Sequence, residues 1–370
     1  MGAGSVCTHA MTLVASLKYP WYEAVLARKR ARHRTCRRCG GGDSAPVSVN
    51  RRRFILAVGA TAAAVAVRAP PECGVPRKRN ELPYGGVATH LGYFDTQYGD
   101  AAMLAKHLQL VGARFARDEW LLPEASPDQR RRYLDALELV HTVAGTSFVM
   151  VTGRATEPID PILDEMEPYT ELLAGIEGPN EWNLKGRTRW SEELSTYVKE
   201  LYAKVRDRPA FKGIPVIGPS IGLSKDFGPV FGDHSGHMDI GNFHFYQPAT
   251  QVDIRYYRAS LAGARAVSGN KPMVATEVNG IIGDGYVGTE EDQAASYEFL
   301  MGLFGDDGIR RGFCYQLFDF SRPSRPLSHR ENNLGCYRAD YTAKPLAVSV
   351  SEINRRDTSP RLLGDATFCN

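Results

Sequence analysis

From about residue 85 to the C-terminus, short apolar runs alternate with longer segments of helical period, and the alternation repeats eight times. The runs cover 85–90, 114–118, 147–152, 175–178, 215–219, 240–244, 273–277 and 312–316. Between them, segments such as 101–110, 127–143, 191–205, 255–267 and 290–304 carry apolar residues at spacings of three and four, and 341–353 supplies a closing helix. Parallel neighbours need a crossover, usually a helix, so this order of elements points to a parallel sheet. Eight such pairs in roughly 300 residues fit one α/β domain, a (β/α)8 TIM barrel with some loop insertions, for which about 250 residues is usual. An open doubly wound sheet is the competing architecture. It is disfavoured because no Gly-x-Gly-x-x-Gly follows the first run, no Walker loop occurs, and Gly40-Gly41-Gly42 lies well ahead of the runs.

The chain has 370 residues, with 45 Lys and Arg against 42 Asp and Glu. Of these, 12 basic and only 2 acidic residues lie at or before Arg68, so the remainder holds 33 basic and 40 acidic residues. An acidic body without a basic stripe does not suit the phosphate backbone, and nucleic acid is not an expected partner.

Asn50-Arg51-Arg52-Arg53-Phe54-Ile55 sets an arginine pair directly before the apolar run 54–67, which ends at Arg68-Ala69-Pro70. This layout resembles a bacterial twin-arginine export signal. Fourteen helical residues reach only about 21 Å, short of a hydrocarbon core of roughly 30 Å. The expectation is a leader, 1–69, removed near Ala69, ahead of a catalytic domain, 70–370. No stable membrane span would remain, and the destination would be extracellular, cell-wall or periplasmic. Cys36-Arg37-Arg38-Cys39 offers half of a zinc pattern, but Cys7, His9 and His33 stand at no recognised ligand spacing, so neither metal nor cofactor is expected. Behind the leader, Cys73, Cys314, Cys336 and Cys369 allow three pairings. The first strand and last helix of a closed barrel are neighbours, which favours Cys73 with Cys369 and leaves Cys314 with Cys336.

Active sites of such barrels lie where strands pass into loops. The fourth run ends Gly178-Pro179-Asn180-Glu181-Trp182-Asn183 and the seventh ends Ala275-Thr276-Glu277-Val278-Asn279. Two glutamates on strand ends of opposite sides of the ring can face each other across the mouth, with a sugar between them. Cleaving a glycosidic bond needs such a pair, one carboxylic acid to protonate the leaving oxygen and one group to meet the oxocarbenium carbon.

Asn-Glu after the fourth strand and Glu after the seventh, 96 residues apart, resemble the clan A glycoside hydrolases, which include families five and thirty-nine. The resemblance covers essentially all of 70–370. It implies a retaining β-glycosidase in which Glu181 is the general acid/base, Asn180 holds the sugar 2-hydroxyl and Glu277 is the nucleophile. It also implies an arginine near the end of the second strand, matched by Arg117 with Arg114 as the alternative. The pattern of His, one residue, then an aromatic on the sixth strand is matched by His244-Phe245-Tyr246, with Tyr246 bonding the nucleophile. His90 is a plausible subsite residue. The substrate would be an oligosaccharide, polysaccharide or glycoconjugate. One departure stands out: where the clan often places Trp after the eighth strand, this chain reads Cys314-Tyr315-Gln316-Leu317-Phe318-Asp319. Sugar stacking then falls to Tyr315, Phe318, Trp120 or Trp182, with Gln316 a further candidate for substrate binding.

A carboxyl beside Trp182 would lose hydration and keep its proton, so Glu181 is expected to have a raised pKa, whereas Arg117 and Tyr246 would keep Glu277 ionised. Retention predicts carboxyl groups about 5 to 5.5 Å apart. Taken alone, Asn-Glu is as readily a helix cap with a first-turn acid, and Asp118 and Glu119 are rival carboxylates. Asp160, Asp164, Glu165 and Glu167 read as a solvated helical face. A metallohydrolase would want His-x-His on the first strand, where only Thr89-His90-Leu91 occurs, and His234 with His237 lies in a Gly-rich loop. Gly218-Pro219-Ser220-Ile221-Gly222 has the letters of a serine-hydrolase elbow but puts Pro before Ser. A non-catalytic carbohydrate-binding barrel is the alternative from another class.

Overall fold

The computed structural model describes residues 83–283, 285–320, 331–358 and 361–363. The leader, its signal pattern, the boundary at residue 70, Cys73 and Cys369 lie outside the described residues.

Among the described residues eight strands and eight α-helices follow one another in strict alternation. They are β1 (Tyr84–Ala88), α1 (Ala101–Leu110), β2 (Phe115–Glu119), α2 (Pro127–Ala144), β3 (Ser147–Val151), α3 (Ile159–Met166), β4 (Leu173–Glu177) and α4 (Trp190–Asp207). The second half runs β5 (Val216–Ile217), α5 (Ser224–Phe231), β6 (Gly241–Pro248), α6 (Ile254–Ser268), β7 (Met273–Ile281), α7 (Glu290–Asp307), β8 (Ile309–Cys314) and α8 (Pro345–Asn354). All seven strand pairings are parallel, in the order β5-β4-β3-β2-β1-β8-β7-β6, and the ring closes through a parallel bridge between Ile217 and Ile240. The molecule is a (β/α)8 barrel, as the alternation predicts.

Local sequence explains the helix ends. Ser126 and Gln129 form a capping box over α2, Pro127 takes the first turn, and Gly145 ends the helix at a φ of 66° that suits glycine. Thr289 and Asp292 repeat the capping box on α7. The strands sort their side chains by period two. On β6, Phe243 and Phe245 pack outward on Tyr257, while Asn242, His244 and Tyr246 occupy the alternate, inward positions. Inside the barrel, Phe115, Val149, Ile217, Ile240, Val274 and Phe313 form a packed layer covered by Leu362 and Leu363. Packing there leaves the opposite end, at the strand C-termini, as the end where polar groups gather.

The strand pairing slips beside β7. Asn242 pairs with Val274 but His244 pairs with Glu277, so two residues of β6 are matched by three of β7. Such a bulge re-aims side chains. Here it lets Thr276 and Glu277, adjacent residues that a regular strand would send to opposite faces, both reach His244.

Cys314 and Cys336 are buried thiols whose sulfurs lie 3.7 Å apart. The expected partners are thus neighbours, but they are not bonded in this structure, since a disulfide needs about 2.05 Å.

Candidate active site

Arg117, inward on β2, is the hub of the site. Its Nε and Nη2 donate to Glu177 Oε2 and Oε1 at 2.9 and 2.8 Å, Nη2 also donates to Asn180 Oδ1 at 2.8 Å, and Nη1 donates to Glu277 Oε1 at 2.6 Å. Burial works against its charge, but Glu177 and Glu277 outweigh burial and hold the guanidinium protonated. Arg114 makes no bond in this network.

Glu277 is held on both oxygens. Besides Arg117 on Oε1, the Tyr246 hydroxyl donates to Oε2 at 2.5 Å. Burial and the charge of Glu277 push the Tyr246 phenol well above its ordinary range, so it stays a donor. Glu181 is more open, with 24% of its side chain exposed against 8% for Glu277. Its Oε1 lies 3.1 Å from His244 Nδ1, and that same nitrogen lies 3.5 Å from Glu277 Oε2. An oxygen of Glu181 and an oxygen of Glu277 come within 4.8 Å of each other.

The Glu181 backbone adopts φ 44° and ψ 44°, the left-handed region that costs an L-residue other than Gly or Asn about 1 kcal/mol or more. Its N–H donates to Ser220 Oγ at 3.1 Å, and that hydroxyl donates to Asn180 Oδ1, also at 3.1 Å. Two donors, Arg117 and Ser220, therefore meet the Asn180 oxygen, which fixes the amide and turns its NH2 group away from them. A Cβ at Gly222 would strike Leu184 Cδ1 and lie 3.1 Å from Glu181 Cδ, so a larger residue there would crowd the carboxyl.

The expectation that Glu181 holds its proton through a raised pKa is corrected. Burial does push it up, but the hydrogen bond and charge of His244, then Arg117 and Lys185, outweigh burial and bring it below the ordinary value. Trp182 follows Glu181 in sequence, yet it packs on Leu194, Val198, Ile221 and Phe231 and donates its indole N–H to Glu193. Trp120 is likewise buried, its N–H on Glu165 Oε2 at 2.7 Å and its ring edge-on to Tyr133. Phe318 and Gln316 are fully buried, and Gln316 Oε1 accepts from Tyr98. None of these four presents a face to a sugar. Glu165 is not merely solvated either, because it also takes Arg130. Tyr315 is only partly buried; its ring stands edge-on to Tyr246 at 5.9 Å and to His90 at 5.4 Å, and His90 stacks on Tyr93 at 4.6 Å. An aromatic wall thus rises from the β1 and β8 loops beside Glu277.

Asp118 points the other way from Arg117. Buried on the outer side of β2, it accepts from Thr89 Oγ1 and from the N–H groups of Leu91 and Glu119. Burial raises its pKa to about 7 against those three hydrogen bonds. It holds the β1 loop rather than the cleft. Glu119 lies at the exposed end of the same strand.

No protein-family model matches the chain, and no curated protein matches it. Solved structures do. A variant of GH5_18 from Streptomyces cattleya in complex with Manb1-4GlcNAc has a TM-score of 0.54 at 13% identity, over 76% of this chain and 82% of that one. Exo-β-1,4-mannosidase from Opitutaceae bacterium strain TAV5 also reaches 0.54 at 13% identity, over 75% of this chain and 60% of that one. The β-D-glucuronidase of Dictyoglomus thermophilum gives 0.48 at 13% identity, and the match spans about half, 51%, of its length. The likeness is one of fold. Fold leaves the chemistry to the side chains themselves.

Of the residues expected at the site, Glu181, Glu277, Asn180, Arg117, His244 and Tyr246 lie in one connected network. Sequence reasoning missed Glu177, Ser220 and Thr276, which bond to members of those six from behind, and Asn242, which bonds to Thr276. Glu177 carried a signal, a charged residue closing an apolar strand. Ser220 drew notice only for a pattern it does not use. Glu181, His244 and Glu277 are also the atoms that could grip a metal ion. Arg117 and Tyr246 already occupy both oxygens of Glu277 and leave that carboxylate poorly placed to serve as a ligand.

Proposed function

We propose that the chain is an exported retaining β-glycoside hydrolase, with Glu181 as general acid/base and Glu277 as nucleophile. The observation that carries this reading is the unequal treatment of two converging carboxyls. Glu277 is gripped on both oxygens, by Arg117 and Tyr246, while Glu181 stands freer opposite it, with only the ring of His244 beside its carboxyl. One oxygen of each carboxyl within 4.8 Å of the other supports the close spacing of a retaining pair, in which the second carboxylate attacks directly, over the wider spacing of roughly 6.5 to 9.5 Å that seats a water for inversion.

In the first half-reaction Glu277 attacks the anomeric carbon as Glu181 delivers a proton to the leaving oxygen. In the second, Glu181 takes a proton from water as water displaces Glu277. Asn180, its oxygen occupied by Arg117 and Ser220, offers its NH2 to the sugar 2-hydroxyl, a bond that strengthens in the transition state. Arg117 serves two carboxylates, so the pocket keeps a net negative charge that favours the developing oxocarbenium ion. Tyr315, with His90 and Tyr93, supplies the stacking face. The substrate class is a β-linked oligosaccharide, polysaccharide or glycoconjugate. Export rests on the twin-arginine pattern before residue 54; among the described residues no helix is long and apolar enough to cross a membrane.

Proton NMR of the first-formed sugar from an aryl β-glycoside tests the reading, and retention is expected. With azide present, Glu277→Gly should give the α-glycosyl azide and Glu181→Ala the β-glycosyl azide. Net inversion would remove the nucleophile role. A barrel that only binds sugars would show no turnover across aryl glycosides and cell-wall polysaccharides, while still retaining ligand.

A further inference from the structure

Behind His244 a chain of hydrogen bonds runs to the backbone. Asn242 Nδ2 donates to Gly218 O at 3.1 Å and Asn242 Oδ1 accepts the Phe243 N–H at 2.7 Å, so the amide can be placed only one way round. Thr276 Oγ1 lies 2.8 Å from that same Oδ1, an acceptor, and so the hydroxyl spends its single hydrogen there. What it offers His244 Nε2, 2.9 Å away, is a lone pair. The backbone therefore dictates, through two side chains, that Nε2 carries a hydrogen. Both partners are buried, Asn242 at 5% and Thr276 at 0% exposure, which leaves no water to take over either role.

The other ring nitrogen faces acids. Nδ1 meets Glu181 at 3.1 Å and Glu277 at 3.5 Å, Nε2 has Glu177 at 4.0 Å, and Arg117 with the Tyr246 hydroxyl completes the surroundings through Glu177 and Glu277. With Nε2–H fixed, the Nδ1 to Glu181 contact is attractive only when one proton lies between them, on nitrogen or on oxygen.

We propose that Thr276 and Asn242 are positioning residues that lock His244 as the Nε2–H form, so that Nδ1 and Glu181 hold one shared proton for catalysis. The proposal rests on the reading of Glu181 as the acid/base. It also explains how a carboxyl whose own proton affinity is lowered still serves as an acid. In the resting site the pair holds one proton. As the glycosidic C–O bond breaks and the Glu277–carbon bond forms, that proton passes to the leaving oxygen. The pair is then empty, with a nitrogen lone pair facing a carboxylate, which makes it a strong base. Water attacks the anomeric carbon, the Glu277–carbon bond breaks, and the water's proton refills the pair.

The test is nitrogen-15 NMR of histidine-labelled protein, with His244→Gln used to assign the signal, together with the pH profile of kcat on an aryl β-glycoside. Wild type and Thr276→Ser are expected to show Nε2–H across the pH range. Thr276→Val, which keeps the shape and removes the acceptor, should populate the Nδ1–H form, move the basic limb of kcat, and lower kcat by about tenfold with little change in KM. A neutral Nδ1–H form in wild type overturns the proposal, and so does a Thr276→Val protein with unaltered tautomer and profile. The wild-type spectrum needs no variant to fold. If no glycoside is turned over but Nε2–H is found, the lock stands and the enzymatic reading fails.

Discussion

Among the described residues two arginines are sunk in this barrel, one at each end, and they are treated differently. Arg311, fully buried near the N-terminal end, donates to Asp357 Oδ2 at 2.6 Å, to the carbonyls of Leu362 and Gly85, and lies 4.2 Å above the Phe115 ring. Burial lowers its pKa, and the single acid Asp357 does not fully offset this. Arg117 has two acids, and its pKa rises. The number of carboxylates decides the use. One acid and one arginine make a neutral plug that closes a barrel. Two acids about one arginine leave a negative remainder, and at the C-terminal mouth that remainder faces the place where a cationic transition state would form.

This contrast can be broken first at the plug. Arg311→Met takes the Arg311 guanidinium from buried Asp357 and from the carbonyls of Leu362 and Gly85, and should cost about 3–5 kcal/mol in denaturant unfolding with the specific activity of the folded protein unchanged. A loss below about 1 kcal/mol would mean the plug is not structural. Next, Arg117→Lys keeps the charge but loses the fork that spans Glu177, Asn180 and Glu277. Its kcat/KM should fall about 10²- to 10³-fold while the melting temperature changes far less than in Arg311→Met. More than a tenth of wild-type activity would show that charge alone suffices.

Asp118 sharpens the comparison because none of its three hydrogen-bond donors is a cation. Its pKa is raised in the fold, so its stabilising contribution is complete below about pH 4, the unfolded value, and is lost as pH rises through about 7. The melting temperature should therefore drop by a few degrees over that interval. Asp118→Asn should remove this component, and an unchanged slope would assign the titration elsewhere. Smallest of all, Ser220→Ala should lower kcat about fivefold, the worth of one hydrogen bond of about 1 kcal/mol, by letting the Asn180 amide turn. An unaltered kcat would leave Arg117 as sufficient to orient Asn180.

Much of the barrel was legible because its strands bury both faces and therefore read as apolar runs. Where both faces are not apolar the reading thinned. Strands β6 and β7 extend to Pro248 and Ile281, beyond the expected ends, because they go on pairing through polar residues such as Tyr246 with Asn279. Helix α5 was passed over since Gly228 and Pro229 lie within it; Gly228 is there because a Cβ would strike the Gly263 carbonyl of α6 at 2.2 Å.

The site followed the same logic. Side chains at strand ends converge on one network because period two and the strand C-terminus fix their address. Trp120 and Trp182 were misread because a tryptophan next to a strand end can turn either way, and each found an outer acid, Glu165 or Glu193, for its N–H. Nor could sequence show that Thr276 stands behind His244, because that depends on a slip of register beside β7 and not on any residue type.

The left-handed backbone at residue 181 sets durability against turnover. Glycine adopts that conformation without strain, so Glu181→Gly should outlast the native protein on heating by an amount worth about 1 kcal/mol, while lacking the carboxyl that the proposed mechanism uses as its acid/base. A selection that rewarded heat resistance alone would accordingly drift toward barrels without this carboxyl, and a thermal improvement that keeps the proposed chemistry has to be sought away from residue 181.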